Sequence, residues 1–131
     1  MSTRAIIAIP TPKGFITAWN WNDGGPENLG HELKKYFKSK SQVMELINAH
    51  SFNIVCGDEL KDELMRLYPK WNTEENYTKL SNGRYIKQEP FGGKVVAGSG
   101  KYGFFHTLKD MLDQDLNYVY VFNDGEWEMY K

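Results

Sequence analysis

Three tight turn signals constrain the fold of this chain most. Thr11-Pro12-Lys13-Gly14 separates the apolar run Arg4–Pro10 from the alternating stretch Phe15–Trp21. Asn82-Gly83 lies between Tyr77–Leu80 and Arg84–Gln88, and Asn123-Asp124-Gly125 between Asn117–Phe122 and Glu126–Tyr130. Asn-Gly and Asp-Gly dipeptides accept the positive φ of hairpin turns. Runs joined this way are therefore expected to pair as antiparallel neighbours.

Helical periods fill the intervals. Leu29, Leu33, Tyr36 and Phe37 recur at helix spacing behind Pro26, which suits a first helical position with Asp23 or Gly25 near the cap. Ser39 and Gln42 have capping-box spacing ahead of Val43, Leu46 and Ile47. Asp58 can cap a third helix carrying Leu60, Leu64, Leu67 and Tyr68, and Thr107 with Asp110 opens a fourth with Leu108, Met111 and Leu112. Ser51–Cys56 reads as one short strand, and the glycine-rich stretch 89–103 as a loop around a short strand at Lys94–Ala97. The expectation is an α+β fold, with a mainly antiparallel sheet built from hairpins and three to four short helices, in a single domain over residues 1–131.

Composition narrows the partners. The net charge is −1 and the arginines are Arg4, Arg66 and Arg84. Proteins that grip a nucleic-acid polymer by its phosphates carry a basic excess, so DNA and RNA are not expected as partners. A small anion needs only two or three donors and stays allowed. Aromatic residues make up 15% of the chain, too many for the core alone, so some are expected at a ligand site or subunit interface. The single cysteine, Cys56, provides no disulfide framework. With no secretory or membrane-spanning run, a soluble cytoplasmic protein without membrane association is expected.

Catalytic patterns are weak. His31, His50 and His106 share no metal-ligand spacing with one another or with Cys56. Cys56 follows Ile54-Val55 and reads as a small buried residue. No nucleophile elbow occurs, and Gly98-Ser99-Gly100-Lys101 lacks the Gly-Lys-Ser/Thr of a phosphate loop. The expectation is no catalytic residue, no metal and no cofactor.

The stretch Trp19-Asn20-Trp21-Asn22-Asp23-Gly24-Gly25-Pro26-Glu27 is different. Indole faces stack on nucleobases. Asn20, Asn22 and Asp23 offer amide and carboxylate partners for ribose or base edges. The Gly-Gly-Pro helix entry leaves backbone N–H groups open to an anion. Asp23 and Glu27 oppose a phosphate, so Arg4, Arg84, Lys94 or Lys101 would have to offset them. The competing reading makes Trp19 and Trp21 core residues on one strand face and Asp23 only a cap.

Both ends of the chain resemble a family of small phage and prophage proteins. The resemblance rests on Met1-Ser2-Thr3-Arg4-Ala5, on Asn20-Trp21-Asn22-Asp23-Gly24-Gly25-Pro26-Glu27 with the helix Leu29-Gly30-His31-Glu32-Leu33, and on Val43–Ile47. It extends to Tyr118-Val119-Tyr120-Val121-Phe122-Asn123-Asp124-Gly125-Glu126-Trp127. Asp58–Lys101 lies outside it, and many related sequences have Cys-His where this chain has Trp19-Asn20. Within that group the chain is similar to the Thoeris anti-defence sponge proteins. The resemblance implies a non-enzymatic homo-oligomer (dimer or hexamer) in the cytoplasm of an infected bacterium. Such a protein sequesters a cyclic ADP-ribose isomer made by a TIR-domain protein, without cleaving it. It also implies a second site for cyclic oligonucleotides. Under that reading Trp19, Trp21, Trp71 and Phe104 are candidates to stack on the base. Asn20, Asn22 and Asp23 would hold ribose or base edges, and Arg4, Arg84 and Lys94 would hold the phosphates, in a pocket shared between subunits. An enzyme that degrades the signal and an inhibitor that binds a host defence protein are the alternatives.

Overall fold

The computed structural model describes residues 3–88 and 103–131. Lys94, Lys101 and the expected strand at Lys94–Ala97 lie outside them. The first hairpin forms as expected, with β1 (Ala5–Thr11) and β2 (Gly14–Asn20) antiparallel from Ala5 opposite Asn20 to Thr11 opposite Gly14. Gly14 is required at the turn. Its φ is +152°, and a Cβ there would meet the Phe105 carbonyl at 2.5 Å.

A continuous apolar run such as Ala5–Ile9 suits a strand covered on both faces. Ala5, Ile7 and Ile9 point into one core with Leu33, Phe37, Leu46 and Phe52, while Ile6 and Ala8 point into another with Trp19, Met111 and Val119. The first core lies under α1 (His31–Tyr36) and α2 (Lys40–Ala49). The second is closed by α4 (Leu108–Leu112) and by β7 (Phe104–Phe105), which pairs with β2.

The α+β class holds among the described residues, but the large sheet is mixed. Its order is β3-β2-β1-β8-β9, with β3 at Ser51–Phe52, β8 at Tyr118–Asn123 and β9 at Glu126–Tyr130. The terminal hairpin β8–β9 is antiparallel, yet β8 lies parallel to β1, and β3 lies parallel to β2. Turn residues govern pairing within a hairpin. They carry no information about how one hairpin docks on another, and the long connections here permit parallel crossovers.

A second sheet has the order β4-β6-β5, with β4 at Ile54–Cys56, β5 at Tyr77–Lys79 and β6 at Tyr85–Lys87. The expected single strand over Ser51–Cys56 is thus split at Asn53 between the two sheets. The Asn53 N–H donates to Lys87 in the small sheet (2.6 Å), and its carbonyl accepts from Asn22 beside the large one (2.9 Å).

The helix caps are mixed. Ser39 and Gln42 form the capping box ahead of α2, and Thr107 accepts from the Asp110 N–H ahead of α4. The cap of α3 (Asp58–Leu67) is Gly57, not Asp58, and no side chain caps it. The apolar spacing also names the wrong buried face of α3. Lys61 is the buried residue, whereas Leu60, Leu67 and Tyr68 are exposed. The Lys61 ammonium has a built environment. It donates to Glu74 (2.9 Å) and lies over the rings of Tyr77 (5.6 Å) and Tyr85 (5.0 Å). Its methylene stem can therefore be buried while the charge stays compensated. No helix among the described residues is long and apolar enough to cross a membrane.

Candidate functional site

The Trp-Asn-Trp-Asn-Asp stretch leaves β2 and divides between core and turn. Trp19 is 4% exposed and belongs to the second core. Trp21 packs on it, with ring centroids 5.3 Å apart, and donates its indole N–H to Ser51 Oγ (2.6 Å). Asn20 is 1% exposed, and its amide donates to the Asn22 carbonyl (2.7 Å). Asn22 donates its side-chain amide to Asn53 Oδ1 (2.6 Å). These side chains are used in packing and in tying β2 to the β3–β4 junction.

Beyond them the backbone turns sharply. Asp23 takes a left-handed φ of 54°, and the Gly24 N–H donates to the Thr3 carbonyl (2.9 Å). The buried Tyr120 hydroxyl donates to the Gly24 carbonyl (2.7 Å). Burial raises the pKa of that hydroxyl far above the ordinary tyrosine range, so it remains a donor. A Cβ on Gly24 would lie 2.9 Å from the Thr3 carbonyl oxygen, so the close approach requires glycine. Pro26–Gly30 follows as a π-helical turn, capped by Gly25 through its backbone, and runs into α1.

This turn forms one wall of a cleft of about 700 Å³. Asp23, Glu27, Asn28 and the α1 residues His31, Glu32 and Tyr36 line one side. The end of β4 and the start of α3, from Ile54 to Glu63, line the other. Such a volume lies within the roughly 300–1,000 Å³ of small-molecule sites.

Arg84 sits in the cleft and is held from three directions. Its Nε donates to Glu32 (2.9 Å) and its Nη2 donates to the other oxygen of the same carboxylate, a two-pronged pair. The guanidinium lies 3.9 Å over the Tyr36 ring. It also lies directly against Gly57, where any Cβ would collide with it. Burial disfavours the charge, but hydrogen bonding to Glu32 and its field outweigh that, and the pKa of Arg84 is raised.

The electrostatics of the cleft are otherwise acidic. Asp23, Glu27, Glu32, Asp58, Glu59 and Glu63 all line it. Carboxylates accept hydrogen bonds, so this lining suits a ligand rich in hydroxyl and amino donors. The uncapped start of α3 contributes N–H groups at the same wall. Cys56 also reaches the cleft. Burial, and then the charge of Glu32, push its thiol up to about 11, so it is a neutral thiol near pH 7 and a poor nucleophile. Among the described residues no His, Cys, Asp and Glu side chains converge as a metal-binding group would.

Of the residues singled out from sequence, Asp23 and Arg84 meet in this cleft, and Trp19, Asn20, Trp21 and Asn22 are not among its lining residues. Arg4 makes a surface pair with Asp115 (3.5 Å) and its N–H donates to Asn117, at the far end of β1 from the hairpin turn. Phe104 pairs with Ile16 and meets His106 edge-on. Trp71 is exposed beyond the end of α3, with Lys70 over its ring at 5.1 Å. Sequence reasoning missed Glu32, Tyr36 and Gly57. The readable trace was an uncapped glycine between strand β4 and helix α3, but nothing local links Glu32 to Arg84 across 52 positions.

Comparison with known protein families, curated proteins and solved structures found no match.

Proposed function

We propose that the protein binds and sequesters a cyclic ADP-ribose-type nucleotide without cleaving it, as a phage-encoded inhibitor of bacterial immunity acting in the host cytoplasm. The observation that carries this reading is the cleft of about 700 Å³ where the Asp23–Pro26 turn becomes helix. It combines acceptors for ribose hydroxyls and an adenine amino group at Asp23, Glu27 and Asn28 with a guanidinium backed by an aromatic ring at Arg84 and Tyr36. The motif from the resemblance acts on this site through the backbone it places and through Asp23. A sequestering protein works by mass action and needs tight, slowly released binding.

The test is to incubate the protein with the cyclic ADP-ribose product, remove free ligand by filtration, and then heat-denature the protein. Intact signal released only on heating is the expected result. Altered product would mean an enzyme. Signal that stays in the filtrate throughout would overturn the small-molecule reading and favour inhibition through a host protein.

A further inference from the structure

A second cavity, of about 250 Å³, lies at the other end of β1 from the Gly24 turn. Ile9 and Phe122 are buried and with Pro10 form its apolar floor. The exposed Lys38 and Lys40 stand at its rim with the β8–β9 turn at 123–125. The sign of the charge is reversed from the cleft. Two ammonium groups face one carboxylate, Asp124, and among the described residues no ion pair engages Lys38 or Lys40.

The segment that carries the lysines is held on both sides. The Phe37 carbonyl accepts from the Trp127 indole (2.9 Å), and the Lys38 and Ser39 N–H groups donate to Gln42 Oε1 (2.8 and 3.2 Å). Ser39 has extended backbone, which projects the side chains before and after it to the same side. Lys40 is placed against the interest of the fold. It opens α2, whose first turn has no acidic residue, and a cation there opposes the helix dipole. An anion held between Lys38 and Lys40 offsets that cost.

An apolar floor under a cationic rim selects a molecule with a hydrocarbon body and an anionic head. Asp124 lowers the rim to a net charge of +1, which matches a monoanion. The volume lies below the roughly 300–1,000 Å³ of sites for drug-sized ligands, so a nucleotide does not fit. We propose that this cavity binds a small apolar monocarboxylic acid, its carboxylate between Lys38 and Lys40 and its body against Ile9, Pro10 and Phe122. The site is separate from the cleft and does not rest on the nucleotide reading.

The test is a titration of the isotope-labelled full chain with sodium 4-methylpentanoate at fixed pH and ionic strength, followed by backbone amide shifts. Saturable perturbation centred on Lys38, Lys40 and 122–125, with a Kd of about 1 mM or tighter, is the expected result. Three probes define the ligand. 4-Methylpentan-1-ol has the body without the charge, inorganic phosphate has charge without the body, and an acetylated tetrapeptide ending in leucine carries the same group on a chain end. All three are expected to bind more weakly. K38Q/K40Q is expected to weaken the acid about tenfold with no loss of thermal stability, because Lys40 does not support the helix. Asp124→Asn is expected to tighten binding about threefold, since asparagine accepts the left-handed backbone at that turn. No saturable shift, an alcohol or phosphate that binds as well as the acid, or K38Q/K40Q binding like wild type would each overturn the site. Tighter binding of the peptide would overturn the free acid as its ligand and assign the cavity to a chain end.

Discussion

Replacing Glu32 by glutamine separates what this residue does for the fold from what it does for the cleft. The side chain keeps its shape and loses its charge, leaving Arg84 beside a neutral amide. At an effective dielectric constant of about 20 and a charge separation of about 4 Å, the direct attraction is about 4 kcal/mol. The Glu32 and Arg84 side chains are 13% and 19% exposed, so desolvation offsets part of this and residual solvent screens more. A net loss of about 2–3 kcal/mol remains. At about 2.1 cal/mol/K per residue, the unfolding entropy of 131 residues is about 0.28 kcal/mol/K, which converts the loss to a fall in Tm of about 9 °C. Binding should move the other way. Arg84 is released from its internal counter-ion and the cleft loses one negative charge, so a cyclic ADP-ribose-type anion should bind more tightly, by about tenfold. Arg84→Gln should lower both stability and affinity. Calorimetric unfolding and equilibrium dialysis of the two variants read both quantities. Loss of affinity in Glu32→Gln at full folding would refute the view that Glu32 competes with the ligand for Arg84.

Other consequences follow from particular contacts. Gly24→Ala should destabilise by about 2 kcal/mol because its Cβ meets the Thr3 carbonyl, whereas Gly25→Ala should be within about 0.5 kcal/mol of wild type because that position is open; chemical denaturation compares the two. Tyr120→Phe removes the donor to a buried carbonyl and should cost about 1–3 kcal/mol in the same assay. Trp21→Ala should lower stability by about 2–3 kcal/mol, with ligand capture per folded molecule little changed, because the ring packs on Trp19 and does not line the cleft. Cys56 has its thiol pKa raised from 9.0 to about 11, so the unfolded chain releases the proton first as pH rises. Stability should therefore fall from about pH 9 to about pH 11, and Cys56→Ala should flatten that slope in pH-dependent unfolding.

Much of the local structure was legible because it is encoded locally. The Ser39 and Gln42 capping box, the Thr107 cap and the turns at Gly14, Gly83 and Gly125 need only residues within four positions of one another. The parallel docking of β8 on β1 was not legible, because it joins hairpins more than a hundred residues apart through their shared cores. Nor was the burial of Lys61, since its compensation comes from Glu74, Tyr77 and Tyr85 on other elements. The candidate site shows the same division. The Asp23–Pro26 turn was readable as a break from strand into helix, but the cleft behind it depends on Glu32, Tyr36, Gly57 and Arg84 converging from separate elements. The indoles of Trp19 and Trp21 show why residue type alone misleads. The same flat apolar ring serves a nucleobase or a core, and alternation along β2 places Trp19 against Val119 and Met111 in the second core.

The central claim is that the cleft between the Asp23–Pro26 turn with α1 on one side and the start of α3 on the other receives a cyclic nucleotide. Backbone amide shifts of the isotope-labelled protein, followed through a titration with cyclic ADP-ribose, test it most directly. Perturbation centred on Asp23, Asn28, Glu32, Gly57, Glu59 and Arg84, saturating at stoichiometric ligand, is the predicted result. No change, or changes centred away from the cleft, would contradict it.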